Sequence, residues 1–261
     1  GHIVHVKEIY DDLFQDWSKL APATDNAPTA TARAYLELHR NFKIELIAGW
    51  FTQESFHSSK DNAGSATVRF ALEKGGYWER LIDRPARFGK MKARFMPGES
   101  YKGVWWCPPS IDLASTSEIW IVEGIFDAIA LVHNGIDAVS AMSSNAFPHD
   151  SLTALATARA GKLPKLVWAL DNEPGAHAYT KRWVRMAREM GFVCEAAQIP
   201  QLDNRKLDWS DLHTRWAFLD EGEIRDKQVD KEITTARHHG ALLIADNATE
   251  KALVMFDWKR R

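Results

Sequence analysis

Hydrophobic positions change rhythm along this chain. Between Ser115 and about Leu212, short apolar runs alternate with stretches whose apolar residues recur at helical spacing. Ile119 to Val122 is a short, mostly β-branched run, and Phe126, Ile129, Ala130 and Val132 then follow along one helix face. The segment Glu118 to Leu131 is therefore predicted to form a strand, a tight turn and a helix. Ala138–Met142, Lys165–Leu170 and Phe192–Ile199 read as further strands, with Asp150–Ala160 and Gly175–Met190 as helices between them. Strand and helix in alternation predict a mostly parallel sheet.

Upstream the pattern is different. Thr67–Leu72 and Tyr77–Ile82 alternate apolar and polar residues around Gly75-Gly76, which predicts an antiparallel hairpin. Ala32–Leu38 and Ile44–Trp50 read as helices, and Ala21–Ala32, rich in Ala, Pro and Thr, reads as a linker. Residues up to Leu20 form an amphipathic segment with Ile9, Leu13 and Trp17 on one face. After the α/β region, Glu221–Glu232 carries mixed charge and reads as an exposed helix or linker, Ala241–Ala245 as a strand and Glu250–Trp258 as a helix. The expected fold class is α/β: a mostly parallel sheet flanked by helices, preceded by a smaller basic α+β subdomain. The boundaries expected are 1–31 for a helix and linker, 32–114 for the basic subdomain, 115–220 for the α/β domain and 221–261 for a tail.

Composition narrows the class without choosing a function. With 45% hydrophobic and 26% charged residues the chain is a soluble globular protein. No apolar run approaches the ~20 residues a bilayer span requires, and the N-terminus lacks a signal-peptide layout, so a cytoplasmic protein without a membrane partner is expected. Cys107 and Cys194 are too few for a disulfide framework or a cysteine-rich zinc site. A net charge of −2 excludes a uniformly basic surface, yet Arg69 to Lys102 holds nine Lys/Arg against four Asp/Glu. Such a block suits either phosphate binding or a solvated face. Among the tryptophans, Trp120, Trp168 and Trp183 fall in strand or helix patterns and read as core, while Trp105 and Trp106 are the better base-stacking candidates, although packing is the favoured reading there too.

The acidic residues carry the chemistry. Glu123 falls at the carboxyl end of the first α/β strand and Asp127 in the first turns of its helix. Asp171 and Glu173 follow the third strand just before Pro174 and Gly175, and Asp208 and Asp211 follow the fourth. Open α/β sheets bind ligands outside the carboxyl ends of their strands. Taken alone, the first pair reads equally well as a solvated Glu123 and an Asp127 that favours the helix dipole. Carboxylates sharing one crevice raise each other's pKa unless a cation neutralises them. Without His or Cys alongside, the donor set suits Mg²⁺ or Mn²⁺ better than zinc, which implies phosphoryl or nucleotidyl transfer.

Glu123-Gly124-x-x-Asp127 and Asp171-x-Glu173-x-Gly175 resemble the two signature motifs of Toprim domains, which bacterial primases, type IA and II topoisomerases and OLD-type nucleases share. From about Arg33 to His213 the chain is similar to the DnaG-type primase catalytic core. Arg33-Ala-Tyr35-Leu36-x-x-His39-Arg40 resembles its lead-in helices, and Lys102-Gly103-Val-Trp-Trp its element before the Toprim strand. The resemblance implies catalytic roles for Glu123, Asp127, Asp171 and Glu173, with Asp208 and Asp211 joining them as Mg²⁺ or Mn²⁺ ligands. It implies nucleotide or template binding by Arg69, Arg80, Lys92, Arg94 and Lys102. Its implied partners are a single-stranded DNA template, nucleoside triphosphates and a replicative helicase, fused or separate. Two departures stand out: Glu173 replaces the commoner Asp, and the Ser140–Asn145 loop lacks the expected glycine. A Toprim nuclease and a nucleic-acid-binding module without turnover are the competing readings.

Overall fold

A computed structural model describes residues 11–201, 206–219 and 222–259. Ile9 and Glu221, each part of a predicted segment, lie outside the described residues. The chain divides into two compact units, Gly1–Ser100 and Tyr101–Arg261.

The first unit is built on an antiparallel sheet, β1 (Thr52–Ser58), β2 (Ala63–Ala71), β3 (Tyr77–Leu81) and β4 (Ala93–Phe95), in that order. Val68 and Phe70 point to one face and are fully buried. Gln53, opposite Val68, accepts the N–H of Ala32 at 2.8 Å and ties that face to a helical lead-in. The lead-in comprises α1 (Trp17–Leu20), α2 (Ala30–Ala34) and a π-helical turn at Tyr35–His39. The predicted second helix shrinks to a single 3₁₀ turn at Ile44–Leu46, because the chain must turn into β1 within a few residues. The sequence pattern misses β1 because its residues are polar on both faces, as befits an edge strand. Asp83 ties residues 11–31 to this unit. It accepts the N–H and hydroxyl of Ser18 at 2.7 and 2.6 Å and the N–H of Ala66 at 2.7 Å.

The second unit is a parallel sheet of order β6-β5-β7-β8, from β5 (Glu118–Val122), β6 (Ala138–Ser140), β7 (Lys165–Trp168) and β8 (Cys194–Ala196). Crossovers α3 (Ile125–Val132), α4 (His149–Arg159) and α5 (Pro174–Glu189) connect the strands, and α6 (Trp209–Ala217) follows β8. Ile119, Ile121 and Trp168 pack with Leu152 of α4 and Trp183 and Val184 of α5 on one side of the sheet. On the other side, Trp120 meets Trp209 of α6 edge-on at 5.4 Å between ring centroids. The tryptophans assigned to the core are buried there, and so are Trp105 and Trp106. Trp106 exchanges backbone hydrogen bonds with Ser140 at 2.8 and 2.9 Å, so this segment extends the sheet beside β6. That pairing moves the boundary between units to residue 100, ahead of the expected 114.

The C-terminal residues are a correction as well. Glu223–Ile244 is one helix, α7, so the strand expected at Ala241–Ala245 does not form; α8 (Ala248–Lys259) follows it. Far from being a separate tail, α7 lies against the edge strand β8, and Ala236 accepts the N–H of Gln198 at 2.8 Å. Gly240 permits the approach: a Cβ there would stand 2.1 Å from the carbonyl oxygen of Ala196. The role of this glycine is close packing of a helix over backbone. Gly240→Ala is expected to destabilise the protein by about 2–3 kcal/mol through overpacking. Urea unfolding checks this, and an unchanged midpoint would contradict it.

Candidate active site

Val122 ends β5, and the next five residues shape the site. Gly124 is the extended N-cap of α3, and Asp127, at the third helical position, accepts its N–H through Oδ2 at 3.2 Å. A Cβ at Gly124 would lie 2.8 Å from that same oxygen. The glycine of the motif leaves room for the carboxylate three residues on and serves no left-handed turn. Asp127 Oδ1 accepts the N–H of Ser210, in the first turn of α6. One buried carboxylate thus serves two helix N-termini, which favour negative charge. Burial raises its pKa well above the usual range, with Asp208 and Asp171 adding to the rise; the two backbone amides oppose it.

Glu123, four residues earlier, is half-buried, with Oε2 enclosed and without a hydrogen-bond partner. Burial pushes its carboxyl up to about 7, and Asp171 and Glu173 add repulsion; Lys206 and the Ser144 amide pull the other way. Asp171 is raised as well, again by burial first, with Lys206 opposing. Lys206 Nζ lies 2.8 Å from Asp171 Oδ2 and 3.2 Å from Glu173 Oε2. Glu173 is the N-cap of α5 but makes no side-chain capping bond. Asp208 and Asp211 form a reciprocal capping box on α6: Asp211 N–H donates to Asp208 Oδ1 at 2.7 Å, and Asp208 N–H to Asp211 Oδ2 at 3.1 Å. Asp208 also faces Asp127 electrostatically.

Sequence reasoning passes over three supports of this site. Ser140 Oγ donates to the carbonyl of Glu123 at 2.8 Å and accepts the N–H of Met142 at 3.1 Å. Met142 adopts φ +70°, so the loop without the expected glycine still makes the backbone turn that glycine favours, at a strain of about 1–2 kcal/mol. Trp183 of α5 donates its indole N–H to Ser144 O at 2.8 Å and pins the same loop. Lys206 is the third, and its signal was present as the single cation in the segment from 206 to 211.

Divalent metal suits this chemistry. Every donor is a carboxylate oxygen, and the orphaned Glu123 Oε2 and the raised carboxyls are what a cation would relieve. Among the described residues no three acids converge at coordinating distance. Mg²⁺ requires only one or two protein carboxylates besides water and phosphate, so the residues fit it.

The cations named from the sequence have diverse surroundings. Arg69, Glu79 and Arg94 stand in register across β2, β3 and β4, with Glu79 fully buried between the two guanidinium groups at 2.9 and 2.7 Å. Arg69 also lies over the Tyr77 ring, 3.6 Å from its centroid, and Arg94 over Phe56 at 4.4 Å. Arg80 is buried and paired with Asp12. Lys92 and Lys102 are exposed.

Residues 120–213 match the Toprim-like family model, so the segment from β5 into α6 is a Toprim-like domain. Its two carboxylate motifs sit at the ends of β5 and β7, as the resemblance implied. Beyond this class, the fold is that of a DnaG-type primase RNA polymerase domain. The solved domain of the Mycobacterium tuberculosis primase DnaG is similar at 17% identity over 90% of this chain and 85% of that one, with a TM-score of 0.53. The same domain in complex with double-stranded DNA is similar at 17% identity, 92% and 86% coverage and a TM-score of 0.54. No curated protein matches the sequence.

The raised carboxyl of Glu123 has a consequence for stability. A carboxyl raised from 4.5 to about 7 on folding contributes stability that is present below pH 4.5 and lost as pH rises through about 7. In metal-free protein at pH 8, Glu123→Gln is expected to gain about 1–2 kcal/mol, discounted for partial exposure, and the gain should vanish near pH 4. Thermal unfolding at both pH values checks this, and an equal effect at each would contradict it.

Proposed function

We propose that this chain is the catalytic core of a DNA primase, a nucleotidyltransferase that makes short RNA primers on single-stranded DNA. The observation that carries the reading is the half-buried Glu123, with one oxygen unsatisfied, beside Asp127 and Asp171 at the strand ends of a Toprim-like sheet. The primase-domain fold supports it.

In this reading Asp127, Asp171, Glu173 and Asp208 hold Mg²⁺ or Mn²⁺, with Asp211 fixing Asp208 through the α6 cap. When bound, the ion would supply positive charge to the phosphates, favouring attack of a 3′-hydroxyl on the α-phosphorus with departure of pyrophosphate. Glu123, whose carboxyl titrates near neutrality, accepts the proton of that hydroxyl. Exposed Lys92 and Lys102 hold phosphates of nucleotide or template. Arg69 and Arg94 present guanidinium planes beside Tyr77 and Phe56 to the template, while buried Arg80 orders the strand that carries Glu79. A replicative helicase is the expected partner and the cytoplasm the expected site of action. Among the described residues no helix is long and apolar enough to cross a membrane.

With a single-stranded template, nucleoside triphosphates and Mn²⁺, the protein is expected to make oligoribonucleotides. Glu123→Gln and Asp171→Asn should each lower the rate by on the order of 10²-fold or more. Absence of product from the wild type, or equal product from all three, would overturn the reading. Cleavage of plasmid DNA without nucleotides would point to a Toprim nuclease instead.

A further inference from the structure

Asp127 is held by two backbone amides, and Glu123 has one enclosed oxygen without a hydrogen-bond partner. Asp171 and Glu173 instead share the ammonium of Lys206, which lies within 3.2 Å of both. The exposures differ in an informative way. The Lys206 side chain is 53% exposed, whereas that of Asp171 is 12% exposed, so the ammonium comes onto the buried carboxylate from the solvent side. It lies against the oxygens that a divalent ion at the end of β7 would use. A hydrated ammonium on a flexible four-carbon stem is an exchangeable partner, and solvent on its open side screens the pair.

We propose that Lys206 is an exchangeable counter-ion: it neutralises Asp171 and Glu173 while the site holds no divalent ion, and the entering ion displaces it. Lys206 thereby sets the ion affinity of the site. The proposal rests on the metal-binding part of the function proposed above. Three physical requirements are met. The two carboxylates carry more negative charge than one ammonium cancels, so a divalent ion gains by the exchange. The lysine is free to leave, since its stem is not enclosed. Glu123 and Asp127 form no ion pair among the described residues, and Lys206 acts on Glu123 only through space, so the competition falls chiefly on the β7 pair.

The test is Mn²⁺ titration of the full chain at pH 8 and low ionic strength. Calorimetry measures the binding heat, and electron paramagnetic resonance measures free Mn²⁺. Lys206→Met and Lys206→Gln, both neutral, are expected to bind Mn²⁺ about tenfold more tightly than wild type, because the competitor is gone. Lys206→Arg keeps the charge and should bind no more tightly than wild type. Asp171→Asn should lose binding. A second readout is independent of ion affinity: metal-free Lys206→Met should unfold at a lower temperature than wild type, and saturating Mn²⁺ should remove the difference. If the neutral variants bind as wild type does, or more weakly, while Asp171→Asn loses binding, the counter-ion role is overturned and the ion site stands. If none of the proteins binds Mn²⁺, the ion site and the exchange both fall.

Discussion

The carboxylate of Asp127 is the constraint on which the site depends. One of its oxygens caps α3 through Gly124, and the other holds the N–H of Ser210, 83 residues further along the chain. It therefore joins the turn after β5 to the first turn of α6, and in doing so brings Asp208 toward the end of β5. The arrangement costs desolvation of a charge, which the two amides offset only in part. Gly124 suits the same constraint, since a Cβ there would press on the carboxylate oxygen and displace it from its amide.

Around that clamp the charges are unbalanced by design of the fold. The parallel order β5-β7-β8 sets Glu123, Asp171 and Glu173 at adjacent strand ends, where their mutual repulsion adds to desolvation. Lys206, arriving after β8, pairs with the two acids after β7 and offsets the rise at Glu123 only in part. Glu123 is left near neutrality in its titration, with one oxygen unsatisfied. A site in this condition is one whose charge a cation would relieve.

Much of this was legible in the sequence, and the reasons differ by element. Ile119–Val122 and the helix after it are visible because a buried parallel strand is an uninterrupted apolar run and α3 keeps a regular apolar face. The two acidic motifs are visible because each follows such a strand. By contrast β1 is hidden, since an edge strand carries polar residues on both faces. The end of α7 is misread because the apolar run Ala241–Ala245 looks like a strand until Ala196 is seen beneath Gly240. The pairing of Lys206 with Asp171 and Glu173 depends on β8 lying next to β7, which only the sheet order supplies. The arginines illustrate the opposite limit. Their positive charge is plain in the sequence, but Glu79 and Asp12, which neutralise it, are separated from Arg69, Arg94 and Arg80 by strand register and chain distance.

The central claim is that the acids at the ends of β5 and β7 form one divalent-ion site. Anomalous diffraction from crystals soaked in Mn²⁺ tests it most directly. The account predicts an anomalous peak bounded by Glu123, Asp127 and Asp171, with the Lys206 ammonium moved off Asp171. A peak elsewhere, or no peak with Lys206 still on Asp171 and Glu173 at saturating Mn²⁺, would contradict it.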